Sequence, residues 1–188
     1  MKPIFTGNLD ELKEKIWSLD LEPIMVKLMD PREGEGWSED QAFTGVEEYR
    51  RFLFLTAIRR EIIVPTTFID TVWHTHILDT AKYRDDCQNI LGYFLDHFPY
   101  FGLRGDDDRE ALDSSFRETA GIYEEVFGSS YYVNASETSA GNCTCGAQGD
   151  CGNNACGQCA GSGIIAKNMM RANERPTLAM YRELNTVH

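Results

Sequence analysis

The chain has 188 residues, a formal net charge of −12 and a hydrophobic content of 42%. This length suits one globular domain with an appendage, and the composition is that of a folded rather than a disordered protein. The acidic balance, with no basic patch to override it, predicts no binding to a nucleic-acid backbone or to an anionic membrane surface.

No apolar run in the sequence has the length of a signal peptide or of a membrane span. We therefore expect a cytoplasmic protein that does not enter a membrane. Thiols stay reduced in that compartment. The six cysteines are then expected to be free or bound to metal rather than paired in disulfides.

A capping-box pattern, Asn or Ser followed three residues later by Glu or Gln, occurs twice in the N-terminal half. It predicts helices over residues 8–19 and 39–60, in which apolar residues recur at helical spacing. Between them, residues 22–29 form a short apolar segment that Pro31 ends. The following EIIVP, residues 61–65, predicts either a short strand or an extended connector.

Helical periodicity resumes over residues 66–95, with a candidate break near residues 78–80. The segment FPYFGLRG then predicts a turn. Three consecutive aspartates, beginning at Asp106, suit the positive N-terminal end of a further helix, which Gly128 is expected to close.

The composition changes in the last third of the chain, where residues 141–163 hold seven glycines and five cysteines. The fold class we predict is mostly α, with a single helical domain of about five helices and a Gly/Cys-rich tail. The domain is expected over residues 1–133. The tail is expected over residues 134–188, with a short terminal helix.

The segment IDTVWHTHILDTAKYRDDC, residues 69–87, holds the candidate site. On a continuous helix, His74 and His76 are about 200° apart, so their rings leave on opposite sides. His74 instead shares a face with Asp70, one turn earlier. His76 shares a face with Cys87, but eleven residues at a rise of about 1.5 Å separate them by roughly 16 Å, too far for one ion.

A break in this helix would change that result. If residues 79–80 cap a second helix, a bend would fold Cys87 and His97 back towards His74 or His76. A metal site would then draw its ligands from the acidic, histidine and cysteine side chains of this region, which are Asp70, His74, His76, Cys87 and His97.

Two other interpretations of these residues stay open. The histidines fit a helical core in which they are hydrogen-bonded. Alternatively, Cys87 and a histidine would form a nucleophile pair. The neighbouring acidic residues 85–86 disfavour that pair, because negative charge raises the pKa of a thiol.

The same stretch resembles the glycine-rich domain-containing protein family, whose members carry D-x-x-W-x-H or D-x-x-W-H-x-H, then a Tyr and an acidic-Cys pair, then H-x-P-Y-x-G. The match covers about residues 38–128. Many relatives also carry Gly-rich C-terminal regions. The resemblance implies no established reaction, but it favours a metal site, since packing alone does not explain the set of histidines and cysteine. The matching positions are Asp70, Trp73, His74, His76, Tyr83, Cys87, His97, Pro99, Tyr100 and Gly102.

The tail cysteines follow the pattern C-x-C-x5-C-x4-C-x2-C, with glycines between them that allow tight turns. Four thiolates would bind zinc and leave one cysteine over, whereas Cu(I) or a thiolate cluster would use all five. Free thiols in a flexible linker, disulfides and covalent modification are the alternatives. The residues concerned are Cys143, Cys145, Cys151, Cys156 and Cys159.

Three functions fit these observations. The first is a metal-binding (zinc or copper) or interaction protein of undefined role, whose tail would contact a protein partner. The second is a metal-dependent enzyme whose ion, held by Asp70, His74, His76 and His97, activates water or oxygen. The third is a structural assembly module without metal. The sequence leaves open whether the protein is an enzyme.

Overall fold

The computed structural model describes residues 5–131 and 175–185, and every regular element in them is an α-helix. The mostly α prediction is confirmed. Residues 5–131 contain six helices where about five were expected, and the seventh is the short terminal helix predicted for the tail. The helices are α1 (Leu9–Trp17), α2 (Glu22–Met29), α3 (Glu39–Ile58), α4 (Thr67–Leu78), α5 (Thr80–Leu91), α6 (Asp106–Phe127) and α7 (Leu178–Asn185).

Helix α3 lies at the centre and contacts α1, α2 and α4. Its predicted capping box is present, because the Gln41 N–H donates to Ser38 Oγ at 3.2 Å and the Ser38 N–H donates to Gln41 Oε1 at 2.9 Å. Apolar side chains cover most of its circumference, as expected for a helix that other helices surround. Tyr49, Phe52 and Leu53 are among its buried residues.

The predicted break between the two histidine-region helices is confirmed, since α4 ends and α5 begins on either side of Asp79. The Asp79 side chain caps α5 by accepting the Lys82 N–H at 3.3 Å. Arg175 donates two hydrogen bonds to the same carboxylate, at 2.5 and 2.9 Å. The hydrogen bond from Arg175, opposed by partial burial, lowers the pKa of Asp79, so the carboxylate stays charged. Helix α5 stops before the predicted residue 95, because Gly92 adopts a left-handed conformation with φ of 75°.

Residues 61–65 form an extended connector, and no strand occurs in the part of the chain that the structure describes. Two side chains from the α6 region hold the connector in place. Thr119 Oγ1 accepts the Val64 N–H at 3.0 Å, and the Tyr131 hydroxyl donates to the Val64 carbonyl at 2.9 Å. The connector therefore has a fixed position between α3 and α4 without a sheet partner.

The predicted terminal helix is present as α7 and packs on α2. The Tyr181 hydroxyl donates to the Met29 carbonyl at 3.1 Å, and Arg182 pairs with Glu39. None of the helices in the described ranges is long and apolar enough to cross a membrane. The predicted domain boundary at residues 133–134 lies outside the described residues, as do the five tail cysteines, Cys143, Cys145, Cys151, Cys156 and Cys159.

The close approach of α3 to α4 depends on a glycine. A Cβ atom on Gly45 would lie 2.8 Å from Trp37 Cζ3, 3.0 Å from Val72 Cγ2 and 3.3 Å from Phe68 Cζ. Trp37 and Phe68 are themselves stacked, with ring centroids 4.6 Å apart. We expect Gly45→Ala to lower the free energy of unfolding by about 1–3 kcal/mol, because overpacking outweighs the gain in helix propensity.

Gly121 in α6 provides the matched control, since a Cβ atom there meets nothing within 4 Å. We expect Gly121→Ala to raise the free energy of unfolding by about 0.5–1 kcal/mol, the usual gain for Ala over Gly in a helix. Urea denaturation of the two variants tests the pair. Equal effects on stability would contradict the packing described for Gly45.

Candidate metal centre

Two imidazoles and one carboxylate converge at the edge of α4. Asp70 and His74 lie one helical turn apart on this helix, and the loop that follows α5 brings His97 beside them. His97 Nε2 lies 3.1 Å from Asp70 Oδ1 and 3.1 Å from His74 Nε2. His74 Nε2 lies 3.7 Å from Asp70 Oδ2. The prediction that His74 shares a face with Asp70 is confirmed.

These separations suit three ligands of one small ion. Ligand atoms bonded to zinc at about 2.0–2.2 Å lie roughly 3.0–3.6 Å from one another. Each of the three residues offers an atom within 4.8 Å of the others. The side chains are 52% exposed for His74, 32% for Asp70 and 16% for His97, so an ion would reach them from solvent.

The cluster has fewer N–H hydrogens than short contacts that would need them. A carboxylate only accepts hydrogen bonds, and a neutral imidazole carries one N–H for two nitrogens. His97 Nε2 faces both Asp70 and His74, so at most one of the two short contacts can use its hydrogen. A bound cation would satisfy the lone pairs of all three groups at once.

Buried neighbours fix the position of His97. The Trp73 ring meets the His97 ring edge-on, with centroids 4.5 Å apart. Trp73 Nε1–H donates to the Tyr83 hydroxyl at 2.9 Å, and that hydroxyl donates to the Leu95 carbonyl at 2.6 Å. Burial raises the pKa of Tyr83, which keeps the phenol protonated and able to donate. The backbone two residues before His97 is thereby tied to α4 and α5.

His76 lies on the opposite side of α4 and is only 1% exposed. Its Nε2 lies 3.0 Å from Asp86 Oδ2, and its Nδ1 lies 3.0 Å from the Tyr49 hydroxyl. Because the carboxylate must accept, Nε2 carries the hydrogen of this contact, and the Tyr49 hydroxyl can donate to a lone pair on Nδ1. Burial acts to raise the pKa of Asp86, but hydrogen bonds from His76 and Lys82 leave it below its ordinary value. His76 is thus a hydrogen-bonded core residue.

Cys87 is buried at 2% exposure and lies outside the set of ligand atoms that surrounds His74 and His97. Burial raises the pKa of its thiol. A nucleophile or a metal ligand needs the thiolate, which such a site disfavours. The break after α4 therefore brings His97, rather than Cys87, to His74.

A groove of about 1260 Å³ adjoins the cluster, and Asp70 and His97 form part of its wall. The segment FPYFGLRG, predicted as a turn, lies along this groove, and its density of aromatic residues was the available signal for such a surface. Asp108 fixes the turn by accepting the Gly102 N–H at 2.6 Å and pairing with Arg104 at 2.6 Å. The hydrogen bond from Arg104 is the main cause that lowers the pKa of Asp108 to about 2.

Glycine is required at position 102 of this turn. Its φ of 88° is in the left-handed region, and a Cβ atom would lie 2.5 Å from Leu112 Cδ2. The turn therefore packs directly against α6. This contact places the aromatic residues of the turn along the groove.

A sequence profile of the UCP032817-like family matches residues 16–121. Two Arabidopsis thaliana proteins, Glycine-rich domain-containing protein 1 and Glycine-rich domain-containing protein 2, are each 36% identical to this chain, over 92 and 95 residues. Each match covers 46% of this chain but only 11% of the Arabidopsis protein. No solved structure matches the chain significantly. These matches confirm the resemblance to glycine-rich domain-containing proteins.

His76 is buried and His74 is exposed, so the two substitutions should affect stability differently in metal-free buffer. We expect His76→Ala to lower the free energy of unfolding by about 1–3 kcal/mol, because it removes the buried partner of the Tyr49 hydroxyl and leaves Asp86 with Lys82 alone. We expect His74→Ala, at an exposed position, to change it by less than about 1 kcal/mol. Urea denaturation with a chelator present measures both variants. Similar losses in the two variants would contradict the separation of roles.

Proposed function

The chain belongs to the UCP032817-like family, and we propose that Asp70, His74 and His97 bind one divalent zinc or copper ion. The observation that carries the proposal is the convergence of two ring nitrogens and a carboxylate at 3.1–3.7 Å on an accessible surface. Imidazole and carboxylate donors suit both metals, and copper(II) binds such sets more tightly than zinc.

The number of protein ligands supports a reactive ion rather than a closed structural one. Structural zinc sites have four protein ligands, whereas three protein ligands leave a position for water or substrate. An ion at that position would lower the pKa of a bound water or polarise a substrate oxygen. A metal-dependent enzyme is therefore our second candidate function, with Asp70, His74 and His97 as ligands and the adjoining groove as its substrate site.

We also propose a second metal site in the tail, with soft thiolate ligands in place of imidazole and carboxylate. Its five cysteines would bind zinc or Cu(I) through thiolates, and the tail would also contact a protein partner. A cytoplasmic setting would keep these thiols reduced. Because the matched region is a small part of the Arabidopsis proteins, no role of those whole proteins is carried over to this chain.

A cobalt titration tests the histidine centre separately from the tail. The protein is the full chain with the five tail cysteines replaced by serine, and Co²⁺ reports its ligands through its visible absorption. We expect one equivalent to bind with a nitrogen- and oxygen-ligand spectrum. Asp70→Asn, His74→Ala and His97→Ala should each weaken binding by about 100-fold or more, beyond the 10- to 100-fold typical of supporting residues.

His188→Ala is the matched control, because His188 is the remaining histidine outside α4 and the cluster. It should leave cobalt affinity unchanged. Elemental analysis of the purified wild-type chain under reducing, metal-replete conditions complements the titration. If no stoichiometric metal binds, or if the three ligand variants bind as well as wild type, the metal proposal fails and a structural module remains.

A further inference from the structure

The groove beside the proposed metal centre would have the ion at one of its walls. Asp70 and His97 line the groove, whereas His74 does not. An ion shared by the three residues would therefore sit at the groove's edge, with His74 on the side away from the groove. Its free coordination positions would open towards the groove and the solvent beside it.

Aromatic and aliphatic side chains are the largest class in the lining of this groove, and most of them come from three segments. These are the connector with α4, residues 95–104 and the first half of α6, while α3 and the loop before it add the rest. Ile62 is 59% exposed and Phe98 is 55% exposed, and Phe101, Leu112 and Phe116 are partly buried. The volume of about 1260 Å³ is above the 300–1,000 Å³ of most small-molecule pockets, so the groove has room for a ligand that extends well beyond the ion.

The charges around the groove limit what else such a ligand can carry. Four acidic side chains line it besides the metal ligand, and these are Glu35, Glu61, Asp96 and Asp113. Among the described residues of the lining, the guanidinium groups are those of Arg60 and Arg104. Arg104 pairs with Asp108 and lies over the Phe98 ring at 5.1 Å. The groove away from the ion is therefore unfavourable for negative charge.

We propose that this groove binds an elongated ligand with an uncharged apolar or aromatic body and a single anionic end, such as a carboxylate, that coordinates the ion. The inference rests on the proposed metal centre. A divalent ion held by one carboxylate and two neutral imidazoles retains a positive charge, which makes it the strongest attraction for an anion in this region. The apolar lining then binds the body by burying it from water.

Simple carboxylates on the cobalt-loaded chain, with the tail cysteines replaced by serine, test the proposal. Octanoate has six more methylene groups than acetate, and burial of about half of them corresponds to a gain of at least about 30-fold in affinity. We expect that gain, measured through the cobalt spectrum at concentrations below micelle formation. Octanedioate should bind more weakly than octanoate, because its second carboxylate would meet the acidic lining. Octanol, which lacks the anionic end, should leave the cobalt spectrum unchanged.

Two phenylalanines of similar exposure provide matched variants. Phe98 in the groove is 55% exposed, and Phe43 on α3, outside the groove, is 58% exposed. Phe98→Ala should weaken octanoate binding by about fivefold or more and leave acetate and cobalt affinities unchanged. Phe43→Ala should change none of the three affinities. Both substitutions remove exposed rings, and circular dichroism checks that the variants are folded.

The outcomes separate the two proposals. If cobalt does not bind, the metal centre is wrong and this inference falls with it. If cobalt binds but octanoate is no tighter than acetate, only the groove inference is overturned. The same holds if Phe98→Ala and Phe43→Ala affect octanoate equally, since the apolar body would then lie outside the groove.

Discussion

The interruption between α4 and α5 at Asp79 determines how these two helices and the loop that follows them pack together. Trp73 and Tyr83 are ten residues apart, and so are His76 and Asp86. In a continuous helix, ten residues would separate each pair by about 15 Å. In the structure, the atoms that join each pair are 2.9 and 3.0 Å apart. Two hydrogen bonds, one buried and one partly buried, thus hold the two helices together across a one-residue break.

The same interruption determines where His97 lies. Tyr83 can accept from Trp73 and donate to the Leu95 carbonyl only because α5 returns alongside α4. The backbone at residue 95 is then fixed beside α4, and the Trp73 ring confines the His97 imidazole. The proposed ligand set therefore depends on a buried network that contains none of its three members.

Features that depend on neighbouring residues could be predicted from the sequence, whereas contacts between distant residues could not. Capping patterns and helical rotation are set by neighbouring residues, so the break at Asp79 and the divergence of His74 and His76 could be predicted. The choice of His97 over Cys87 could not, because it depends on a contact chain between distant residues. The groove was missed for a similar reason, since its lining comes from segments that are distant in the sequence and meet only in the folded chain.

The two faces of α4 each carry a histidine. The exposure of these side chains and the hydrogen bonding of their ring nitrogens point to different histidines as the functional one. Burial alone would select His76 as the notable histidine, because a polar side chain at 1% exposure is unusual. Its two ring nitrogens, however, have one donor and one acceptor opposite them, which matches what a neutral imidazole needs. At His74 and His97, lone pairs outnumber the hydrogens that lie between them. The incomplete hydrogen bonding, rather than the burial, is what marks the exposed edge of α4 as the place where an ion would bind.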